Sequence, residues 1–152
     1  MKKNYLFEGT YDEIRADLNI VRFRNNKSKY LIEAREKFIG GTDLSLKEIL
    51  SQFKSVKDMR VWLVKNVKGI GYKEASHYLR NIGLGDDIAI LDRHILKNMK
   101  LLGVIKEVPR SLPVKIYLEL EDKLEVYSKK IRIPMDHLDF VLWYKEAGEV
   151  FK

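Results

Sequence analysis

Residues 63–83 read Leu-Val-Lys-Asn-Val-Lys-Gly-Ile-Gly-Tyr-Lys-Glu-Ala-Ser-His-Tyr-Leu-Arg-Asn-Ile-Gly, and no other stretch constrains the fold as tightly. Apolar residues at helical spacing lie on both sides of the turn at 67–71. Gly69 and Gly71 let the backbone turn sharply and approach a partner, while Ile70 fills the core beneath the turn. The amides that begin the second helix can bind a phosphate. The pattern therefore predicts a helix-hairpin-helix motif that holds the DNA backbone, and the alternative is an ordinary helix-helix turn that requires glycine.

The rest of the chain also has helical periodicity. Thr10 before Glu13, Ser45 before Glu48 and Ser55 before Asp58 have the form of a capping hydroxyl with an acid three residues later. Runs that alternate with period two are too short for a sheet, so we expect an all-α fold with one compact domain over 1–152. The predicted helices are 11–18, 27–39, 45–54, 56–66, 72–82, 92–102, 113–130 and 134–148.

Composition excludes several classes of protein. The 152 residues contain 29 Lys and Arg against 22 Asp and Glu, a net charge of +7, and no cysteine. A disulfide framework, a Cys-ligated metal and a thiol nucleophile are therefore excluded. There is no apolar run long enough to span a membrane and no apolar stretch typical of a signal peptide before Glu8, so we expect a cytoplasmic protein without a membrane partner. The positive charge fits DNA, but it is also common in domains rich in Lys and Glu.

Two further motifs follow the hairpin. Lys73 lies in the first turn of the hairpin's second helix, and Asp92, in the segment Leu91-Asp92-Arg93-His94, comes 19 residues after that lysine. Together with the tail Leu138-Asp139-Phe140-Val141-Leu142-Trp143-Tyr144 and the final Lys152, these residues resemble the archaeal type-two 8-oxoguanine DNA glycosylase/lyases of the helix-hairpin-helix superfamily. The resemblance implies a hairpin near 56–82, a catalytic Asp loop and helix at 86–102, and a C-terminal pocket helix at 134–152. It also implies a base-excision-repair enzyme that acts on double-stranded DNA containing 8-oxoguanine or abasic sites, in association with the nucleoid.

Lys73 and Asp92 are the predicted catalytic pair. A neutral amine that attacks the anomeric carbon expels the base and leaves a Schiff base, which permits β-elimination of the 3′ phosphate. An ionised Asp92 would stabilise positive charge on the sugar and help to deprotonate the amine. The alternatives are that Lys73 is a phosphate contact or a solvated charge, and that Asp92 is only a helix cap.

The resemblance implies roles for other residues as well. Gly69, Gly71, Lys73 and His94 would contact DNA, although His94 could be structural. The pocket for the flipped base would be lined by Asp139, Trp143 and Lys152. The alternatives are that Trp143 belongs to the core and that Lys152 is a frayed chain end. No cofactor is implied for the chemistry, but the main-chain carbonyls of Lys65, Val67 and Ile70 would hold K⁺ or Na⁺. The early basic residues could add to the DNA-binding surface or form a solvated face: Arg22, Arg24, Lys27, Lys29 and Arg35.

Relative to that family, the chain begins late, just before Tyr5-Leu6-Phe7-Glu8. We expect N-terminal helices that carry part of the pocket and the wedge inserted into DNA to be missing. Their absence would leave apolar surface uncovered, so we expect a monomer with a tendency to self-associate, and better retention of abasic-site cleavage than of 8-oxoguanine excision. The rival interpretation is a non-catalytic or degenerate helix-hairpin-helix module that only binds DNA.

Overall fold

The computed structural model describes residues 5–39 and 45–147, and within these ranges every regular element is a helix. The all-α prediction is confirmed. The helices are α1 (Tyr5–Glu8), α2 (Tyr11–Asp17), α3 (Arg24–Phe38), α4 (Leu46–Ser51), α5 (Val56–Asn66), α6 (Tyr72–Asn81), α7 (Arg93–Leu101), α8 (Val114–Ile131) and α9 (Met135–Ala147).

Local capping signals place two of the helix starts. The Thr10 hydroxyl accepts a hydrogen bond from the Glu13 amide at 3.3 Å, and the Glu13 carboxylate accepts one from the Thr10 amide at 2.9 Å. Ser45 and Glu48 form the same reciprocal pair at the start of α4. Each pair satisfies two amides that the first helical turn leaves without partners.

Two helix starts differ from the prediction by more than one residue. The short helix α1 was not predicted, and α3 begins at Arg24 rather than at 27. The residue before α3 is Phe23, which adopts a left-handed conformation with φ of 61° and makes no side-chain capping bond. Because this start lacks a capping side chain, the usual sequence signal for a helix start is missing there.

Contacts within the chain group into two compact units. The first contains residues 1–54 and 62–70, and the second contains 55–61 and 71–152, so α5 contributes residues to both. The prediction of one domain over 1–152 stays a prediction.

The first unit has a small core around aromatic rings. Trp62 lies 6.3 Å from the Phe38 ring and 6.4 Å from the Phe53 ring, centroid to centroid. The guanidinium of Arg35 donates to the carbonyl of Gly9 at 2.7 Å, which joins α3 to the loop before α2.

The second unit has the larger apolar core. Its members come from α7, α8 and α9 and from the loops on either side of α7, and they are almost fully buried: Ala89, Leu91, Ile95, Leu96, Met99, Ile105, Tyr117, Leu120, Leu124, Met135, Leu138 and Leu142. Burial of this apolar surface is the main favourable contribution to folding of the unit. The same unit also buries charged side chains, which bear on the site described next.

None of the described helices is both long enough and apolar enough to cross a membrane.

Candidate active site

The turn between α5 and α6 has the backbone that its glycines predict. Gly69 has φ of 81°, and a Cβ atom built on it would lie 2.5 Å from Cδ2 of Tyr30. Only glycine therefore fits at this position without displacing the tyrosine. The Ile70 amide donates to the Val67 carbonyl at 3.4 Å, which closes the turn.

The start of α6 brings a carboxylate to the predicted nucleophile. Glu74 accepts a hydrogen bond from the Gly71 amide at 3.2 Å, and its other oxygen lies 3.3 Å from Nζ of Lys73. Burial would raise the pKa of Glu74, but backbone amides and the Lys73 ammonium together hold that pKa below its usual value. Lys73 is about half exposed, with 46% of its side chain accessible. This amine is reachable, but it is ion-paired and must lose its proton before it can attack.

Asp92 caps α7, as its position in the sequence predicts. Its Oδ1 accepts a hydrogen bond from the Ile95 amide at 2.8 Å, and its backbone is extended at this point. The helix N-terminus favours a negatively charged side chain. Capping uses one carboxylate oxygen, so the cap and a catalytic role are compatible in the same residue.

Lys73, Asp92 and Trp143 line one cavity of about 620 Å³ in the second unit. That volume lies within the range typical of small-molecule pockets. Trp143 also packs against the apolar core, so the pocket and core interpretations both describe it. The cavity places an amine, a carboxylate and an aromatic ring around a common space. Its remaining lining residues are His77, Arg80, Asn81, Ile90 and Phe140.

Asp139 was predicted to line the base pocket, but the structure places it in the interior next to that cavity. Its side chain is 1% exposed and it is not among the lining residues. One carboxylate oxygen pairs with Arg80, and the other accepts from the Ile90 amide at 2.9 Å. Burial raises the pKa of Asp139 to about 6, although the Arg80 guanidinium and the Ile90 amide pull it down. Arg80 and Ile90 line the cavity, so Asp139 contacts two residues of the cavity wall without lining the cavity itself.

The other predicted DNA contacts are accessible. His94 is exposed in the first turn of α7. Of the early basic residues, Arg35 is half-buried and bonded to Gly9, while these four are exposed: Arg22, Arg24, Lys27 and Lys29. Lys152 lies outside the described residues.

The structure also reveals residues that the sequence reasoning missed. His77 and Arg80 follow Lys73 by four and seven positions, so the face of α6 that carries the lysine also faces the cavity. Phe140 precedes Trp143 by three positions on α9 and is 46% exposed. This helical spacing was a readable signal for all three. In the first unit, Phe23 is 64% exposed and the guanidinium of Arg22 lies 4.7 Å from its ring centroid, a pairing suited to stacking against bases.

Comparison with known families gives a match over most of the chain. A family described as 8-oxoguanine DNA glycosylase matches residues 1–133. The 8-oxoguanine DNA glycosylase/AP lyase of Fusobacterium nucleatum is 51% identical over 151 residues, which cover 99% of this chain and 70% of that protein. The enzyme of the same name from Korarchaeum cryptofilum is 44% identical over 131 residues, covering 86% of this chain and 60% of that one. The chain thus spans 60 to 70% of the length of these relatives.

Solved structures agree with this match. The Methanocaldococcus jannaschii 8-oxoguanine glycosylase/lyase, in complex with a 15mer DNA containing 8-oxoguanine, superposes with a TM-score of 0.84 at 35% identity. That alignment covers 99% of this chain and 70% of the other. The 8-oxoguanine DNA glycosylase of Thermotoga maritima superposes with a TM-score of 0.78 at 34% identity, covering 97% and 68% of the two chains.

Proposed function

The chain belongs to the 8-oxoguanine DNA glycosylase family, and from that membership we propose that it excises 8-oxoguanine from double-stranded DNA and cleaves the remaining abasic site through Lys73. The observation that carries this proposal is the shared cavity of Lys73 and Asp92. The two residues are 19 positions apart in the sequence, and each occupies a helix start facing the same space. The relatives are named glycosylase/AP lyases, and an amine such as that of lysine can supply both activities by forming a Schiff base with the sugar.

The reaction begins when neutral Nζ of Lys73 attacks C1′ of the extruded nucleotide. The bond between C1′ and the base breaks, and the base leaves with a proton. The sugar ring opens to an imine on Lys73; loss of a proton from C2′ then breaks the bond between C3′ and the 3′ phosphate oxygen. Water hydrolyses the imine and restores the amine. Base release and strand cleavage therefore use the same side chain.

Asp92 provides the negative charge that these reaction steps need. Positive charge develops at the sugar as the base departs, and a fixed carboxylate stabilises it in a partly desolvated cavity. Asp92 also accepts the proton that Lys73 must lose before attack. Since the α7 amide holds one carboxylate oxygen at 2.8 Å, the group is already oriented and loses little entropy on reaction.

Trp143 and Phe140 are the aromatic groups available to the extruded base. Both line the cavity with Lys73, and stacking on an aromatic face stabilises a base outside the helix. Lys152 lies outside the described residues, and its role in this pocket stays a prediction from the resemblance.

The hairpin is proposed to bind the DNA backbone through the amides near Gly69 to Lys73, with His94 as a further phosphate contact. K⁺ or Na⁺ would be held by the carbonyls of Lys65, Val67 and Ile70. Within the described residues, the Lys65 and Ile70 carbonyls accept no hydrogen bond, and the only one to the Val67 carbonyl is 3.4 Å long, so these oxygens suit a hard cation. When bound, the ion would offset phosphate charge. DNA affinity in potassium compared with tetramethylammonium at equal ionic strength tests this site.

Borohydride trapping tests the enzymatic proposal directly, because it reduces the imine to a permanent crosslink. The wild-type chain is compared with Lys73→Gln on two duplexes, one with 8-oxoguanine opposite cytosine and one with an abasic site. Lys129→Gln is the matched control, since Lys129 is another exposed lysine, lies on α8 outside the hairpin and pairs with Glu125 at 2.6 Å. We expect trapping on both duplexes with wild type and the control, and none with Lys73→Gln.

The outcomes separate the alternatives. Trapping on the abasic duplex alone would mean that the chemistry is present without lesion extrusion. Binding without trapping on either duplex would establish a non-catalytic DNA-binding module. We propose that the protein is a monomer that acts on chromosomal DNA in the cytoplasm, and sedimentation at several concentrations tests the oligomeric state.

A further inference from the structure

The loop that delivers Asp92 to the cavity is held by side chains rather than by neighbouring backbone. Three consecutive amides before Asp92 each donate to a different buried side chain from α8 or α9. The bonds are Ala89 to Glu121 Oε1 at 2.9 Å, Ile90 to Asp139 Oδ2 at 2.9 Å, and Leu91 to the Tyr117 hydroxyl at 3.3 Å. We refer to Glu121, Asp139 and Tyr117 as the cradle.

The members of the cradle are themselves fixed. Arg60 donates to both oxygens of Glu121 at 2.5 and 2.6 Å, and each side chain is 1% exposed. Tyr117 donates its hydroxyl proton to the Ala89 carbonyl at 2.6 Å and is 3% exposed. Burial, the largest influence, raises the pKa of the Tyr117 phenol, so the group keeps the proton that it donates. A buried polar network whose members are paired holds its backbone partners in one arrangement.

The loop continues directly into Asp92. The Asp92 amide donates to the Ile90 carbonyl at 2.9 Å, and its side chain is bound to the first turn of α7. The residue is thus restrained from both sides, by the cradle before it and by α7 after it. Movement of residues 89–91 would therefore move the Asp92 carboxylate relative to Lys73.

We propose that the cradle positions Asp92 for the reaction, and that Asp139 acts on catalysis through the Ile90 backbone and Arg80 rather than by reading the base. This inference rests on the proposed function. Asp139 is a positioning residue because its two oxygens are occupied by Ile90 and Arg80 and its side chain is 1% exposed. Arg80, on the cavity wall, is held by the same carboxylate and by the Asp136 carbonyl at 3.3 Å.

The two roles for Asp139 differ on a substrate that has no base. A base-reading residue matters only when 8-oxoguanine is present, whereas a residue that positions Asp92 matters equally for a preformed abasic site. Single-turnover imine formation is therefore measured by borohydride trapping on both duplexes, with wild type, Asp139→Asn and Tyr117→Phe. The matched control is Asp122→Asn, which removes one carboxylate from an exposed position on α8 in the same unit.

We expect Asp139→Asn to slow imine formation on both duplexes by a similar factor, about 10- to 100-fold, with DNA affinity unchanged. Tyr117→Phe should slow imine formation on both duplexes in parallel by a smaller factor, and Asp122→Asn should match wild type. Slowing by Asp139→Asn on the 8-oxoguanine duplex alone, or on neither duplex, would overturn the inference.

A double-variant cycle separates positioning from a general structural role. If Asp139 acts through Asp92, then Asp139→Asn has no further effect on the rate once Asp92→Asn is present. Independent, multiplicative losses would overturn the inference. Thermal melts report which variants are folded. If Asp139→Asn does not fold, the same cycle with Tyr117→Phe and Asp92→Asn tests the positioning role instead. A wild type that shows no Lys73-dependent trapping would overturn the proposed function, and the positioning role with it.

Discussion

Replacing Asp139 by Asn should remove a pH dependence from the free energy of unfolding. Burial raises the pKa of Asp139 from 3.8 to about 6 in the folded chain, against the opposing influence of Arg80. Between these two values the folded state holds a proton that the unfolded state has released. Unfolding stability therefore falls as pH rises from about 4 to 6, and the loss is complete above pH 6.

The magnitude follows from the two pKa values. They differ by about two pH units, and each unit corresponds to about 1.36 kcal/mol, so the buried carboxylate lowers wild-type stability by about 3 kcal/mol between pH 3.5 and 7. Asn cannot titrate, so the variant lacks this contribution. The other titrating groups are common to both proteins and largely cancel when their stabilities are subtracted.

Urea denaturation followed by circular dichroism, at pH values from 3.5 to 7.5, measures this difference. The stability of wild type minus that of Asp139→Asn should decrease by about 3 kcal/mol as pH rises over this range. Asp122→Asn, at an exposed position on α8, controls for loss of one acidic group. A difference that stays constant within about 0.5 kcal/mol would refute the argument that burial dominates at Asp139.

Three further substitutions test other parts of the structure. Asp92→Asn should keep the helix cap but slow imine trapping strongly, to a residual rate that single-turnover reactions still measure, whereas Asp92→Ala should slow trapping as much and also lose about 1 kcal/mol of stability in urea melts. Arg60→Met should cost about 3 to 5 kcal/mol because it leaves the buried Glu121 charge unpaired, and adding Glu121→Leu should recover part of that loss. Gly69→Ala should destabilise by about 1 to 3 kcal/mol, since φ is 81° and Tyr30 lies in the way, and should weaken DNA binding in a fluorescence anisotropy titration.

Much of the fold could be predicted because its signals are local. The predicted helices at 56–66 and 72–82 match α5 and α6 to within one residue, since apolar spacing and the glycines of the turn lie within the segments themselves. Lys73 and Asp92 could be selected because each occupies a helix start. The structure adds that they share a cavity.

The setting of Asp139 could not be predicted in this way. Its partner Ile90 is 49 positions away, and Glu121 reaches Ala89 over 32 positions, so no periodic pattern links them. The family resemblance alone therefore assigned Asp139 to the pocket. Only the packing of α8 and α9 against residues 89–91 reveals that the Asp139 carboxylate is buried and accepts a hydrogen bond from a backbone amide.

The division of α5 between the two units limits how the protein can be dissected. The chain passes from one unit to the other after residues 54, 61 and 70, so no single cleavage yields both units intact. A fragment that starts at residue 71 would lack Arg60, the partner of both Glu121 oxygens. Expressing the second unit alone therefore requires a rearranged gene that splices 55–61 onto it, or a separate peptide added for complementation.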